Sequence, residues 1–166
     1  MRVYEGLESL DMPSRITASI QIASTPEQVF DYTQDYGKRL SWDTFLRVAQ
    51  LEGAEKAARG VKAWCVSKHG LGMETQYVSY NRPKVTAVKM TKGPFMFTDF
   101  AGSWKFEALE NNDTRVTFTY SWTLRFPFNL IDPVLHQILL TNVKQRLTDL
   151  KNCVERESRP DYPGSA

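Results

Sequence analysis

The sequence is short of almost everything that usually announces catalysis or metal binding. It holds only two histidines and two cysteines. Cys65 and Cys153 stand far apart with no ligand spacing around them, which argues against a zinc site or a paired-thiol motif. We read both thiols as reduced and the compartment as cytoplasmic. There is no glycine-rich phosphate loop, no nucleophile elbow and no HExxH helix, so neither a cofactor nor a metal is expected. No apolar run reaches the ~18 residues of a membrane-spanning helix. The opening "MRVYEGLESLDMPS" contains acids and lacks the apolar centre of a signal peptide. An excess of one charge is missing too: 21 Lys and Arg face 19 Asp and Glu, a net +2. The bases are scattered, which gives nucleic acid or an anionic membrane surface no strong electrostatic support, and without a long apolar run no stable membrane insertion is expected. Repeats and low-complexity tracts are absent.

What is present is core material. Hydrophobic residues make up 42% of the 166 positions, enough for one domain of ordinary size. Residues 1–14 read as a leader, 15–157 as the domain, and 158–166, with charge, proline and glycine, as a flexible tail.

Along the domain, "RITASIQIA" alternates strictly, with Ile16, Ala18, Ile20 and Ile22 on one face, the mark of a half-buried strand. "STPEQVFDYTQD" then supplies three helix-start signals: Thr25 as N-cap, Pro26 at the first helical position and Gln28 to close a capping box. A second short helix is expected near residues 38–42. Six strands follow, near 45–51, 61–68, 74–81, 84–91, 99–109 and 114–125, separated by turn signals. The last two alternate most clearly. Phe100, Gly102, Trp104 and Phe106 share one face, as do Val116, Phe118, Tyr120, Trp122 and Leu124. From about Leu130 to Glu157, apolar residues recur at steps of three and four, which predicts a long amphipathic helix covering one face of the sheet. The expected class is α+β, one long C-terminal helix on a seven-stranded antiparallel sheet, with one or two short helices after the first strand.

An up-and-down sheet gathers alternate turns at the same end. The turns after the second, fourth and sixth strands read "EGAEKAARG", "NRPK" and "ENNDT", polar as solvated turns should be. Those after the third, fifth and seventh read "HGLGM", "KGPFMFT" and "RFPFN". One end thus carries Leu71, Met73, Phe95, Met96, Phe97, Phe126 and Phe128. Each large apolar side chain left in water forgoes roughly 1.5–3 kcal/mol, so this end calls for a use. Three remain open: a plug completing the core, the mouth of a cavity between sheet and helix, or a surface for a partner or membrane.

The segments "STPEQVFDYTQD...SWDTF" and "GSWKFEALENNDTRVTFTYSWTL", in this element order, resemble the START-like (SRPBCC) superfamily, and within it the bacterial polyketide cyclase/dehydrase and lipid-transport type. The resemblance spans about residues 15–157. It implies a helix-grip fold, a curved sheet wrapped around the C-terminal helix and enclosing an apolar cavity. Ligand carriers, cyclases, hormone receptors and co-chaperones share that fold, so function must be argued from the site.

If a cavity exists, Trp104, Phe106, Phe118, Tyr120 and Trp122 are candidates to wall it together with Leu135 and Ile138 of the long helix, although each also fits an ordinary core. Phe95 and Phe97 are candidates for its gate. Tyr77, Tyr80 and Tyr120 carry hydroxyls suited to orienting a ligand. Asn142 is a polar residue on the apolar stripe of the helix. Of the two histidines, His69 falls in an apolar-end turn and is the candidate acid/base group, although no carboxylate at fixed spacing makes a dyad with it. His136 reads as solvated and Trp42 as structural; Asp99 beside the gate, and Arg47 and Lys89 on strands whose parity is open, are charges that could shift the balance of His69. The first expectation is a carrier of a hydrophobic small molecule such as a lipid, isoprenoid or polyketide-like compound. A cyclase or dehydratase acting in the same cavity is the second, and a protein-interaction module using the apolar end is the third. A homodimer is left open.

Overall fold

The computed structural model describes residues 12–158. The expected leader lies outside them except for 12–14, and the expected tail except for Ser158; Ser14 already opens the first strand. The elements run β1 (Ser14–Ile22), α1 (Pro26–Gln34), α2 (Arg39–Trp42), β2 (Leu46–Glu52), β3 (Lys62–Ser67), β4 (Gly72–Asn81), β5 (Val85–Lys92), β6 (Phe97–Ala108), β7 (Thr114–Leu124) and α3 (Asp132–Glu157). A single turn of 3-10 helix, Phe128–Ile131, leads into α3. The seven strands form one antiparallel sheet in the order β1-β7-β6-β5-β4-β3-β2. β2 to β7 are therefore a meander, and β1 closes its far side against β7. This is the α+β helix-grip arrangement.

Local chemistry accounts for the boundaries. Thr25 caps α1: its Oγ1 accepts from the Gln28 backbone N–H at 3.4 Å, and Gln28 Oε1 accepts from the Thr25 N–H at 3.3 Å. Pro26 fills the first helical position, where a missing N–H costs nothing. At the start of α3, Asp132 accepts from Ser14 Oγ at 2.6 Å and from Trp122 Nε1 at 2.7 Å, which pins the helix to β1 and β7.

One expected boundary shifts for a physical reason. β6 begins at Phe97 instead of 99, because a bulge between Phe97 and Asp99 lets two residues face out together. Thr98 and Asp99 are exposed, while Phe97 and Phe100 both point inward with ring centroids 5.1 Å apart. The strict alternation expected of this strand holds only beyond the bulge.

A single core joins the layers. Leu139, Val143, Leu147, Leu150 and Val154 of α3 pack with Val29 and Phe30 of α1 and with Trp104, Phe106, Val116 and Phe118 of the sheet. Trp42 is fully buried against Trp104, ring centroids 6.0 Å apart, as a structural tryptophan should be.

On the outer face, Glu74 is buried under a cluster of its own. It accepts from Thr91 Oγ1 at 2.6 Å and Lys62 Nζ at 3.0 Å, with Lys92 Nζ at 3.5 Å. The Thr91 hydrogen bond first, and the Lys62 contact next, bring its carboxyl from 4.5 down to about 2.

Thr25→Ala should lower unfolding free energy by about 1 kcal/mol, read as a shifted midpoint at constant slope in urea. A depressed carboxyl contributes stability above its unfolded pKa and loses it as pH falls toward the folded value. Acid titration of thermal stability should therefore show a loss between pH 4.5 and about 2 that Glu74→Gln diminishes.

Candidate functional site

Between α3 and strands β3 to β6 lies a cavity of about 240 Å³. A single water needs only about 10–15 Å³ of such space, so the region beneath the apolar end is a void and not filled core. The cavity arises because several inward-facing residues on this part of the sheet are small: Cys65, Thr75, Thr86, Val88 and Gly102. Elsewhere on the same face Phe106 and Val116 reach the helices and fill the core. Gly102 has a specific part. A Cβ there would stand 3.2 Å from the Tyr120 ring, so glycine lets that ring lie across β6.

The cavity opens where the turn compositions point. Leu71, Pro94 and Met96, from the turns after β3 and β5, border it together with Leu135 and Ile138 of α3. The rim continues outward as exposed apolar surface: Leu71 is 57%, Phe95 73%, Phe126 78% and Val134 63% exposed.

At the buried end the lining changes character. Arg39 and Arg146 face the cavity and are almost fully enclosed. Both donate to one atom, Asp43 Oδ2: Arg39 Nε at 2.9 Å and Arg146 Nη2 at 2.7 Å. Arg39 Nη1 also donates to the Thr33 carbonyl at 3.1 Å, and Arg146 Nη1 to the Tyr120 hydroxyl. Aromatic rings enclose both cations. Arg39 lies over Trp42 at 4.8 Å and Tyr36 at 5.8 Å, and Arg146 over Phe118 at 5.1 Å and Phe45 at 5.6 Å. Three buried polar atoms, Trp42 Nε1, Asp43 Oδ1 and Arg146 Nε, have no hydrogen-bond partner among the described residues.

Burial pushes the Asp43 carboxyl up, but Arg146 and then Arg39 outweigh it and hold the group below its ordinary value. Burial likewise works against the charge on Arg146 and Arg39, and Asp43 more than restores it in each. All three therefore stay ionised. Beside them Tyr77 donates to Gln34 Oε1 at 2.8 Å and stands 3.2 Å from the Tyr36 hydroxyl. Burial drives Tyr36 and Cys65 up, and Tyr77 well above its ordinary value.

Of the residues singled out in the sequence, Tyr77, Phe97, Trp104, Phe118, Tyr120, Leu135, Ile138 and Asn142 line the cavity, and His69 stands at its rim. His69 is exposed and hydrogen-bonded to no carboxylate among the described residues. Three others lie elsewhere. Phe106 packs into the core against Phe30, centroids 5.2 Å apart. Trp122 is held away by its bond to Asp132, with its ring against His136, which is half-buried. Phe95 lies outside on the rim, edge-on to Phe128 and beneath the Arg125 guanidinium at 4.6 Å. Lys89 and Asp99 pair with each other on the surface at 3.3 Å. The sequence reading missed Arg39, Arg146 and Asp43. The signal for Arg146 was its place three residues after Val143 and four before Leu150, on the buried stripe of α3.

No curated protein sequence matches the chain. Solved structures with the same fold include the ZhuI aromatase/cyclase from Streptomyces sp. R1128, 13% identical over 90% of this chain and 98% of that one, with a TM-score of 0.76. A Thermus thermophilus protein is 19% identical over 88% of this chain and 100% of its own, with a TM-score of 0.75. A START superfamily protein from Mycobacterium smegmatis is 10% identical over 85% and 97%, with a TM-score of 0.72. At these identities the likeness concerns the fold. The sequence itself matches a family description over residues 13–155, nearly the whole of the fold and every residue of the cavity, and the chain belongs to the polyketide cyclase/dehydrase and lipid transport family.

Proposed function

We propose that the protein binds and carries a hydrophobic small molecule, of lipid, isoprenoid or polyketide-like character, in the cavity between the sheet and α3. The observation that carries this reading is the cavity itself, about 240 Å³ in volume and walled by aromatic and aliphatic side chains. Its continuity with the exposed rim at Leu71 and Ile138 supports passage of an apolar molecule through that end. Two free thiols fit a reducing, cytoplasmic setting, and no helix among the described residues is long and apolar enough to cross a membrane.

Carriage is favoured over cyclisation by the groups that face inward. A general acid or base works best when its pKa lies near the operating pH. Tyr36, Tyr77 and Cys65 are all moved upward, away from neutrality, and both arginines are locked in the charged state. Such groups orient a molecule without exchanging protons with it. His69 sits at the rim instead of among them.

Native mass spectrometry of protein purified from its own host should reveal a co-purifying hydrophobic mass. Val88→Phe, which adds bulk to the cavity wall, should reduce its retention roughly tenfold, the equivalent of about 1.4 kcal/mol of lost fit. Absence of any bound mass, with retention of added apolar probes unaffected by Val88→Phe, would contradict the reading. Conversion of the bound compound on incubation, abolished by His69→Ala, would favour the cyclase.

A further inference from the structure

The cavity is apolar along its walls but does not end in an apolar surface. Its buried end holds two guanidiniums, Arg39 and Arg146, against one carboxylate, Asp43, which leaves a single uncompensated positive charge. The arrangement is directional. The two arginines line the cavity, while Asp43, fully buried, does not. Asp43 thus stands behind the cations and orients them toward the space. No Asp or Glu among the described residues lines that space at all.

The hydrogen-bond inventory points the same way. Arg39 uses Nε for Asp43 and Nη1 for the Thr33 carbonyl, and its Nη2 has no partner among the described residues. Tyr120 accepts from Arg146 through its oxygen, and its own O–H donates to no group among the described residues. Asn142, one turn before Arg146 on α3, lines the cavity and makes no side-chain hydrogen bond among the described residues. Tyr36 and Tyr77, by contrast, are tied into a chain: Tyr77 donates to Gln34, so its oxygen is left to accept from Tyr36. Facing the space, the unpaired functions of Arg39 and Tyr120 are an N–H and an O–H donor; Asn142 adds amide N–H donors and one carbonyl acceptor, and the unpaired Asp43 Oδ1 lies behind the arginines. Burying an uncompensated charge is costly unless it is paired, and a desolvated guanidinium beside free donors is a site for an anion.

We infer that the molecule occupying the cavity is an amphiphilic monoanion, an apolar body ending in a carboxylate that inserts head-first and pairs with Arg39 and the Tyr120 hydroxyl at the buried end. This rests on the cavity being a ligand site and adds the chemical class of the ligand. The carboxylate supplies the second negative charge, so that two cations meet two anions. The apolar chain then lies along Phe118, Trp104 and Phe97 toward the rim at Ile138.

Three probes of equal chain length, decanoate, decanol and decylamine, separate head-group charge from chain fit. Titrated calorimetrically into the intact protein below their aggregation concentrations, decanoate should bind at least about tenfold tighter than decanol, the ratio expected for one charge-assisted hydrogen bond. Decylamine should bind most weakly. In Arg39→Met, which keeps an apolar stem against Trp42 and leaves Arg146 paired with Asp43, decanoate and decanol should bind alike. Tyr120→Phe should reduce the decanoate preference several-fold, and it tests the site without altering buried charge if Arg39→Met fails to fold. Equal binding of decanoate and decanol to the unaltered protein would overturn the anion assignment while leaving the cavity a ligand site. A preference that survives in folded Arg39→Met would overturn the role of Arg39. If no probe binds, the cavity reading fails and the inference fails with it.

Discussion

The structure turns on one carboxylate oxygen. Asp43 Oδ2 holds Arg39 on α2 and Arg146 on α3 within 2.9 Å and 2.7 Å, and so ties the short helices after β1 to the helix that closes the fold. Both arginines occupy positions that hydrophobic side chains would otherwise fill. A buried ion pair gains little net stability over such packing, yet losing one partner costs about 3–5 kcal/mol because a charge is left stranded. The triad is thus difficult to alter piecemeal. Its rigidity is reinforced from the sides, since the flat guanidiniums lie against Trp42, Tyr36, Phe45 and Phe118. Those same rings help wall the cavity, apart from Trp42, which is sealed behind them.

The empty space follows from residue size. Where β6 and β7 meet the helices, Trp104, Phe106 and Phe118 are large enough to reach across. Toward β3, β4 and β5 the inward residues shrink to Cys65, Thr75, Thr86 and Val88, and the gap is left open. Cavities lower stability by roughly 24 cal/mol for each Å³ that neighbours cannot collapse into. A rigid sheet and a helix fixed by Asp132 at one end and Arg146 near its middle prevent that collapse. Molecular shape here serves the void at the expense of packing, the pattern expected when the space has an occupant.

Much of this was legible in the sequence, and the gaps have physical causes. Alternation in β1, β6 and β7, the capping box at Thr25 and the periodicity of α3 each reflect one local rule acting alone. The parity of the turns carried further, because in a meander it converts sequence order into spatial clustering: Leu71 and Met96 come together at the mouth although they lie on different turns. The triad was not legible, since Arg146 on α3 lies about a hundred residues beyond Arg39 and Asp43, which share the short α2 turn, and charge on a helix ordinarily means a solvated face. Arg146 broke that rule by sitting among Val143, Leu147 and Leu150 on the buried side. Phe106 and Trp122 show the converse. Both face inward as alternation requires, but neighbours at Phe30 and Asp132 claim them before the cavity does.

The two ends of the cavity differ in chemistry. At the rim, Leu71 and Ile138 are more than half exposed, and Phe95 and Phe126 extend the apolar surface outward. At the floor, two cations share one anion among aromatic rings. A purely apolar molecule would leave the floor charge uncompensated, and a purely polar one would find no partners along the walls. A molecule with both characters, its charge inward and its tail toward the mouth, is the occupant we infer from these two ends. In the inferred orientation the head group is enclosed at the floor and the tail faces the mouth. An enzyme acting on that head group would need beside it a group able to take or give a proton, and neither Tyr77, raised well above its ordinary value by burial, nor Arg146, held charged by Asp43, is such a group.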